Sequence, residues 1–286
     1  MSNKAISLVL GSGGARGLAH VGVIRWLEEN GHEIRSISGC SIGSLIGGAH
    51  AAGKLDAVVE WMESFTKTEI YSMLDLSFTW NSLVKGDKMM AAIQSKIGTD
   101  LIEDLPIKFT AVAADIAAEK EHWFQSGPID QAIRASVSLP LFFAPYNVGG
   151  VQLIDGGILN PTPIEPTLGD DTGLTLAVDL GGPMMKEAIP EPEKAQSPWQ
   201  QKMDDFLDSM KSSESKPKDQ WDMFYIADQS FNTMQNAIAR IRMADNPPDH
   251  LISVPRNKCG TLEFDRSAEM IEYGYRLAAE QLSSKI

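Results

Sequence analysis

The 286-residue chain carries 38 acidic and 25 basic residues, and its net charge of −13 argues against nucleic acid binding and tight docking on anionic lipid. Hydrophobic residues make up 43 % of the chain, but no apolar run reaches the roughly 18 residues that a membrane span requires. Two cysteines and the lack of a visible signal peptide favour a cytoplasmic protein in a reducing compartment.

The chain opens with two strand–helix units. An apolar run over residues 5–10 enters the glycine loop GSGGARG at 11–17, and a helical pattern follows over residues 18–27. A second strand-like run covers residues 34–38. This order predicts an α/β fold, a single domain with a mainly parallel central sheet flanked by helices. We expect the glycine loop and the turn after the second strand to share the carboxyl edge of the sheet.

The second strand runs into the sequence GCSIG at residues 39–43, which precedes a helical stretch of small residues. A G-x-S-x-G at a strand–helix junction is typical of a nucleophile elbow, in which a strained turn presents the serine hydroxyl. The sequence therefore predicts Ser41 as a nucleophile and Cys40 as a packed, unbridged residue. The alternative is a tight turn that merely contains a serine.

The glycine loop admits several interpretations. A dinucleotide site would need glycine where Arg16 stands and an acidic residue after the second strand. A phosphate loop would need the Gly-Lys-Ser/Thr sequence, which is missing. The remaining alternatives are an oxyanion hole, built from consecutive backbone N–H groups, and an ordinary tight turn.

A serine nucleophile also needs a base. Three aspartates follow strand-like apolar runs, namely Asp115, Asp155 and Asp179. The run before Asp179, residues 174–178, is predicted to be the last parallel strand. Residue types alone do not rank these aspartates, and a Ser-His-Asp triad with the late His250 is a further alternative.

Four segments, in this order, resemble motifs of the patatin-like phospholipase family. They are SGGARG at 12–17, the elbow at 39–43, RASVSLP at 134–140 and Asp-Gly-Gly at 155–157. Four motifs in order are more specific than any one of them. The resemblance covers residues 5–182 and continues weakly to the C-terminus, as in small bacterial members of the RssA type, which are related to neuropathy target esterase.

The resemblance implies a serine acyl hydrolase that cleaves carboxylic esters of lipids, of the phospholipase or lysophospholipase A type, through an acyl-enzyme. It implies a dyad in which Ser41 attacks and Asp155 takes the proton. It also implies an oxyanion hole from the Gly13 and Gly14 amides, with Arg16 nearby as a fixed positive charge. The remaining motif glycines are Gly39, Gly43, Gly156 and Gly157.

The chain is divided into three segments of one domain. Residues 5–182 are predicted to be the acyl hydrolase core, 183–222 a polar and mobile excursion, and 223–286 helices and an edge strand that complete the domain. An apolar stripe from Phe224 to Ile241 is expected to face the core.

The expected ligands follow from this interpretation. The substrate is a lipid or lysophospholipid ester, with at most peripheral membrane contact, no nucleic acid and no cofactor. No Cys/His cluster or calcium loop indicates a metal site. Because residues 184–222 could also contact a protein partner, the alternative function is a regulatory protein with little catalytic activity.

Overall fold

The computed structural model describes residues 5–66, 87–140, 143–185 and 223–286. The strands are β1 (Ile6–Leu10), β2 (Ile34–Cys40), β3 (Lys108–Asp115), β4 (Lys120–Phe124), β5 (Tyr146–Val148), β6 (Val151–Asp155), β7 (Leu174–Gly182) and β8 (His250–Pro255). The α-helices are α1 (Leu18–Glu29), α2 (Ile42–Ala51), α3 (Leu55–Glu63), α4 (Asp87–Ile97), α5 (Ile129–Ser136), α6 (Met223–Asp245) and α7 (Ser267–Leu282).

These strands form one sheet in the order β5-β6-β3-β2-β1-β7-β8, and β4 also pairs with β3. Strands β3, β2, β1, β7 and β8 are parallel, whereas β4, β5 and β6 run antiparallel to their partners. Every residue of β1 is buried, as expected for a strand with helices over both faces of the sheet. The predicted α/β fold with a mainly parallel sheet is confirmed.

Strands β1 and β2 are parallel neighbours, and Leu10 pairs with Gly39 at their carboxyl ends. The glycine loop follows β1, and the elbow follows β2. Both segments therefore lie side by side at the carboxyl edge of the sheet, where open α/β sheets bind their ligands.

Two details of the predicted strands are wrong. Asp179 lies inside β7 and not at its end, because β7 continues to Gly182. β7 is also not the last parallel strand, since β8 pairs with it in parallel register. A register shift between Asp179 and Gly182 lets the glycine-containing end of β7 stay paired with β8.

Helix α6 departs from the predicted apolar stripe. Met234 and Ile241 are 57 % and 64 % exposed, whereas Gln235 and Ala239 are buried. The helix packs against β7 and the turn at residues 156–158. The buried amide of Gln235 donates a hydrogen bond to the Ser12 hydroxyl at 3.4 Å, which satisfies a polar group on the inward side of the helix.

Most of the predicted excursion, residues 186–222, lies outside the described residues, so its mobility and gating role stay predictions. Within the described ranges, no helix is long and apolar enough to cross a membrane.

Candidate active site

Ser41 occupies a strained turn between β2 and α2. Its backbone has φ 56° and ψ −124°, a conformation that non-glycine residues seldom adopt. A Cβ at Gly43 would collide with the carbonyl oxygen of Leu10, so only glycine lets α2 start this close to β1. The local geometry is that of the predicted elbow.

The backbone of Ser41 is held on both sides. Its carbonyl oxygen accepts hydrogen bonds from the Ser44 amide at 2.9 Å and the Ser44 hydroxyl at 2.7 Å. Its amide donates to the Ser136 hydroxyl oxygen at 2.9 Å. Sequence reasoning gave Ser136 no role, although it belongs to the RASVSLP segment.

Sheet register brings Asp155 level with Ser41. Cys40 pairs with Val112 of β3, and the next residue of β3, Ala113, pairs with Asp155 of β6. Because β6 runs antiparallel to β3, its last residue is carried to the same level of the sheet as the elbow. Asp155 is fully buried there.

The two carboxyl oxygens of Asp155 have different surroundings. Oδ1 accepts a hydrogen bond from the Gly157 amide at 2.8 Å and one from the Cys40 thiol at 3.7 Å. Oδ2 is buried and has no hydrogen-bond partner among the residues that the structure describes. The Ser41 hydroxyl interacts with the carboxyl group and lowers its pKa, although among the described residues no side chain makes a hydrogen bond of standard geometry to Oδ2.

Burial dominates the acidity of Asp155 and raises its pKa from 3.8 to about 6. The Ser41 hydroxyl, the Gly157 amide and the Cys40 thiol oppose this by stabilising the ionised form. A carboxylate with a pKa near 6 is a better base than an ordinary aspartate and is still ionised at neutral pH. The arrangement can therefore accept a proton from a nearby hydroxyl.

The glycine loop presents free backbone donors beside the elbow. The amide of Ser12 donates to the Pro161 carbonyl oxygen at 2.8 Å, and the amide of Ala15 donates to the Thr261 carbonyl oxygen at 2.9 Å. Between them, the amides of Gly13 and Gly14 have no acceptor in the part of the chain that the structure describes. Gly14, with φ 58°, lines the same cavity as Ser41.

Arg16 is buried and forms hydrogen bonds with several distant segments of the chain. Its Nε donates to the Leu180 carbonyl at 3.1 Å, and its Nη1 donates to the carbonyls of Arg256 and Cys259 at 3.3 and 3.1 Å. Its Nη2 donates to Asn232 of α6 at 3.1 Å. These contacts tie the glycine loop to β7, to the segment after β8 and to α6. The predicted role of Arg16 as a charge near the oxyanion stays a prediction.

The two other candidate aspartates have structural partners. Asp115 accepts hydrogen bonds from the amides of Ala117 and Ala118, both at 3.0 Å, and so closes the turn after β3. Asp179 accepts one from the Gly181 amide at 3.1 Å, and the charge of Arg16 lowers the pKa that burial raises. Within the described residues, neither carboxylate contacts Ser41.

The histidine of the alternative triad lies far from the elbow. His250 begins β8 and pairs with Leu176, towards the amino end of β7. Three strand intervals separate β8 from β2, which is about 14 Å at the usual strand spacing. The geometry therefore gives no support to a triad built from His250 and Ser41.

His20 is a site neighbour that sequence reasoning did not identify. It is fully buried on α1, and its Nε2 donates to the Gly11 carbonyl at 2.9 Å. Burial lowers its pKa to about 4, so the ring is neutral at pH 7. From the sequence, His20 is expected only to be a packed or capping residue of an early helix, three residues after the glycine loop.

An apolar cavity of about 110 Å³ opens beside Ser41 and Gly14. Its walls are aliphatic and aromatic, and they include Leu45, Trp61, Phe65, Val137, Leu139 and Phe143. A cavity of this composition can accept a hydrocarbon chain but offers little to a charged ligand.

Known proteins are similar to this chain over the whole site. The patatin-like phospholipase family matches at residues 8–168, a span that contains the glycine loop, Ser41 and Asp155. An uncharacterized NTE family protein of Mycobacterium tuberculosis is 35 % identical over 99 % of this chain and 92 % of its own length. Lysophospholipase NTE1 of Candida albicans is 34 % identical over 63 % of this chain and 13 % of its own length.

Among solved structures, VipD from Legionella pneumophila covers 99 % of this chain and 67 % of its own, at 15 % identity and a TM-score of 0.47. The family match extends over more than half of the chain, and the mycobacterial relative aligns with nearly all of it. The chain therefore belongs to the patatin-like phospholipase family, as a serine esterase related to the NTE proteins.

Proposed function

We propose that this chain hydrolyses carboxylic esters of phospholipids or lysophospholipids with a Ser41–Asp155 dyad. One observation carries the proposal: within the described part of the chain Oδ2 of the buried Asp155 has no hydrogen-bond partner, and the carboxyl group lies near a serine on a strained turn that borders an apolar cavity. A buried polar atom without a hydrogen bond costs about 1–3 kcal/mol. Such a cost is expected where the atom serves chemistry.

The first half-reaction forms an acyl-enzyme. Ser41 Oγ attacks the ester carbonyl carbon while its proton passes to Asp155 Oδ2. The carbonyl oxygen becomes an oxyanion and accepts hydrogen bonds from the free amides of Gly13 and Gly14. The carbon–oxygen bond to the alcohol then breaks, and the alcohol leaves with the proton held by Asp155.

The second half-reaction returns the enzyme to its starting state. Water attacks the acyl carbon, Asp155 takes its proton, and the same amides hold the second oxyanion. Breaking the bond to Ser41 Oγ releases the fatty acid, and Asp155 returns the proton to Ser41. A pKa of about 6 suits both the acceptance and the return of the proton.

The cavity and one relative support the lipid substrate class. The cavity walls beside Ser41 are apolar, which suits an acyl chain held next to the attacking oxygen. The Candida relative is named a lysophospholipase, and we extend that activity to this chain. A regulatory protein with little catalytic activity stays the alternative, although most of its predicted contact segment, residues 186–222 of 184–222, lies outside the described residues.

The proposal is tested with a fluorophosphonate probe and a panel of lysophospholipids and phospholipids. The wild type should be labelled on Ser41 and should release fatty acid, and Ser41→Ala should lose both while keeping its melting temperature. An unlabelled wild type that hydrolyses none of the panel would instead favour the regulatory protein. Labelling at another residue would show that the nucleophile is wrong.

A further inference from the structure

The segment after α5, residues 136–139, touches both members of the proposed dyad. The Ser136 hydroxyl accepts a hydrogen bond from the Ser41 amide at 2.9 Å and donates one to the Val112 carbonyl at 2.7 Å. Two residues later, the Ser138 carbonyl accepts a hydrogen bond from the Asp155 amide at 2.9 Å. One short segment therefore holds the backbone of the nucleophile and the backbone of the base.

The alternate residues of the segment face the cavity. Val137 and Leu139 line it beside Ser41, whereas the Ser136 hydroxyl is fully buried and occupied on both its donor and its acceptor side. A hydroxyl that accepts one hydrogen bond and donates another holds two partner groups in position relative to each other. Here the two groups are the elbow and β3.

The hydrogen bond from Ser136 to β3 also bears on the position of Asp155. Val112, whose carbonyl accepts from Ser136, immediately precedes Ala113, which pairs with Asp155. The Ser136 hydroxyl thus connects the strained elbow to the strand that sets the level of Asp155. Without it, the Ser41 amide would lose its only acceptor among the described residues while the turn kept its strain.

We propose that Ser136 is a positioning residue for the Ser41–Asp155 dyad: its hydroxyl fixes the elbow against β3 and so sets the distance from Ser41 Oγ to Asp155 Oδ2. The inference rests on the proposed function. Because reaction rates depend on sub-ångström alignment of the reacting groups, a small displacement of the elbow lowers the rate of attack. Substrate affinity should change little, since the cavity walls belong to other side chains.

The test compares Ser136→Ala with Ser38→Ala, which also removes a fully buried hydroxyl but one without any hydrogen-bond partner in the structure. We expect Ser136→Ala to lower kcat on a lysophospholipid by about 10- to 100-fold with KM nearly unchanged. Ser38→Ala should keep the wild-type kcat. Ser136→Cys keeps the side-chain shape but accepts hydrogen bonds poorly, so it should lower kcat by an intermediate factor. This variant replaces Ser136→Ala in the comparison if Ser136→Ala does not fold.

A double-mutant cycle separates positioning from loss of structure. The probe-labelling rate of Ser41 is measured for the wild type, Ser136→Ala, Asp155→Asn and the double variant, together with their melting temperatures. If Ser136 acts by aligning the dyad, its replacement should cost much less in the Asp155→Asn background, where there is no base to align. An equal loss in both backgrounds would overturn the inference.

Two further outcomes are decisive. If Ser136→Ala and Ser136→Cys keep the kcat of Ser38→Ala, Ser136 has no positioning role, although the dyad itself stands. If the wild type neither labels nor hydrolyses, or if Asp155→Asn labels like the wild type, the proposed function fails, and the inference fails with it. The control variants therefore show which of the two ideas is wrong.

Discussion

Asp155 and Asp179 occupy similar surroundings on opposite sides of β1. Each follows at least two buried apolar residues of its strand, and the Oδ1 of each accepts a hydrogen bond from the amide of a glycine two residues later. Burial raises the pKa of both carboxyl groups. They differ in charge, because the guanidinium groups of Arg16 and Arg240 lower the pKa of Asp179, whereas no cation among the described residues lowers that of Asp155.

The difference shows what makes a buried carboxylate a base. Asp179 is partly compensated by positive charge, and it stabilises the fold around Arg16. Asp155 has neutral donors on one oxygen, and its second oxygen has no hydrogen-bond partner among the described residues. Basicity near neutral pH thus comes from burial, which raises the pKa, in a place where no cation of the described residues opposes the rise.

The largest expected effect is a difference in kcat between Asp155→Asn and Asp179→Asn. Asp155→Asn keeps the side-chain shape but removes the base, so kcat should fall by about 10²-fold or more. Asp179→Asn should lower kcat far less, because its carboxylate contacts no reacting group. Hydrolysis of a lysophospholipid by both folded variants measures this difference. Similar losses in the two variants would mean that Asp155 acts through the fold and not as the base.

The second prediction concerns stability. The folded-state pKa of Asp155 lies above its ordinary value, so the folded protein loses stability as the pH rises from 3.8 to about 6 and the buried carboxyl ionises. At about 1.4 kcal/mol per pKa unit, the full effect is up to about 3 kcal/mol.

Asp155→Asn removes this ionisation. It should therefore be more stable than the wild type near pH 8, by up to about 3 kcal/mol, and should lose that advantage near pH 4. Denaturant unfolding of both proteins at the two pH values measures the difference. An advantage of the same size at both pH values would show that the stabilisation does not come from the carboxylate charge.

A smaller effect is expected from the thiol that touches the base. Cys40 is fully buried, and its pKa is raised well above the usual range by burial and by the neighbouring charges of Asp155 and Glu121, so it stays a protonated donor. Cys40→Ala should raise the apparent pKa of kcat/KM, and Cys40→Ser, with a stronger donor, should lower it. Each shift should be on the order of half a pKa unit.

The pH dependence of kcat/KM measures these shifts. Within the described residues, the groups hydrogen-bonded to Oδ1 of Asp155 are the Gly157 amide and the Cys40 thiol. Because the amide belongs to the backbone, only the thiol can be changed by a side-chain substitution. Unchanged pH profiles in both variants would show that the thiol packs against the carboxyl without tuning it.

The smallest effect is expected at His250. His250→Ala should leave kcat/KM and its pH dependence nearly unchanged, because β8 lies three strands from the elbow. The same hydrolysis assay measures it. A large loss in this variant with the fold intact would favour the conventional triad.

The sequence predicted the local features of the site better than its long-range contacts. The βαβ opening and the GCSIG turn were sufficient to place the glycine loop beside Ser41, because these are properties of neighbouring segments. The choice of Asp155 depended on a resemblance, since the antiparallel direction of β6 and the position of Arg16 are set by residues far apart in the chain.

Other features were invisible in the sequence for the same reason. The hydrogen bond from Ser41 to Ser136 spans 95 residues, and no local pattern reports it. Helix α6 carries an apolar stripe, but Met234 and Ile241 of this stripe are exposed. The side of the helix that packs against β7 and the turn at residues 156–158 instead buries Gln235 and Ala239. Periodicity identified this helix but not the side of it that would be buried.

The pH dependence of Ser41 labelling by a fluorophosphonate probe tests the central claim most directly, since the reaction needs a nucleophile and its base but no lipid. For the wild type, we predict a labelling rate that rises with pH through an apparent pKa of about 6. Asp155→Asn should lose this rise and label about 10²-fold more slowly. The same rise and the same rate in Asp155→Asn would contradict the dyad.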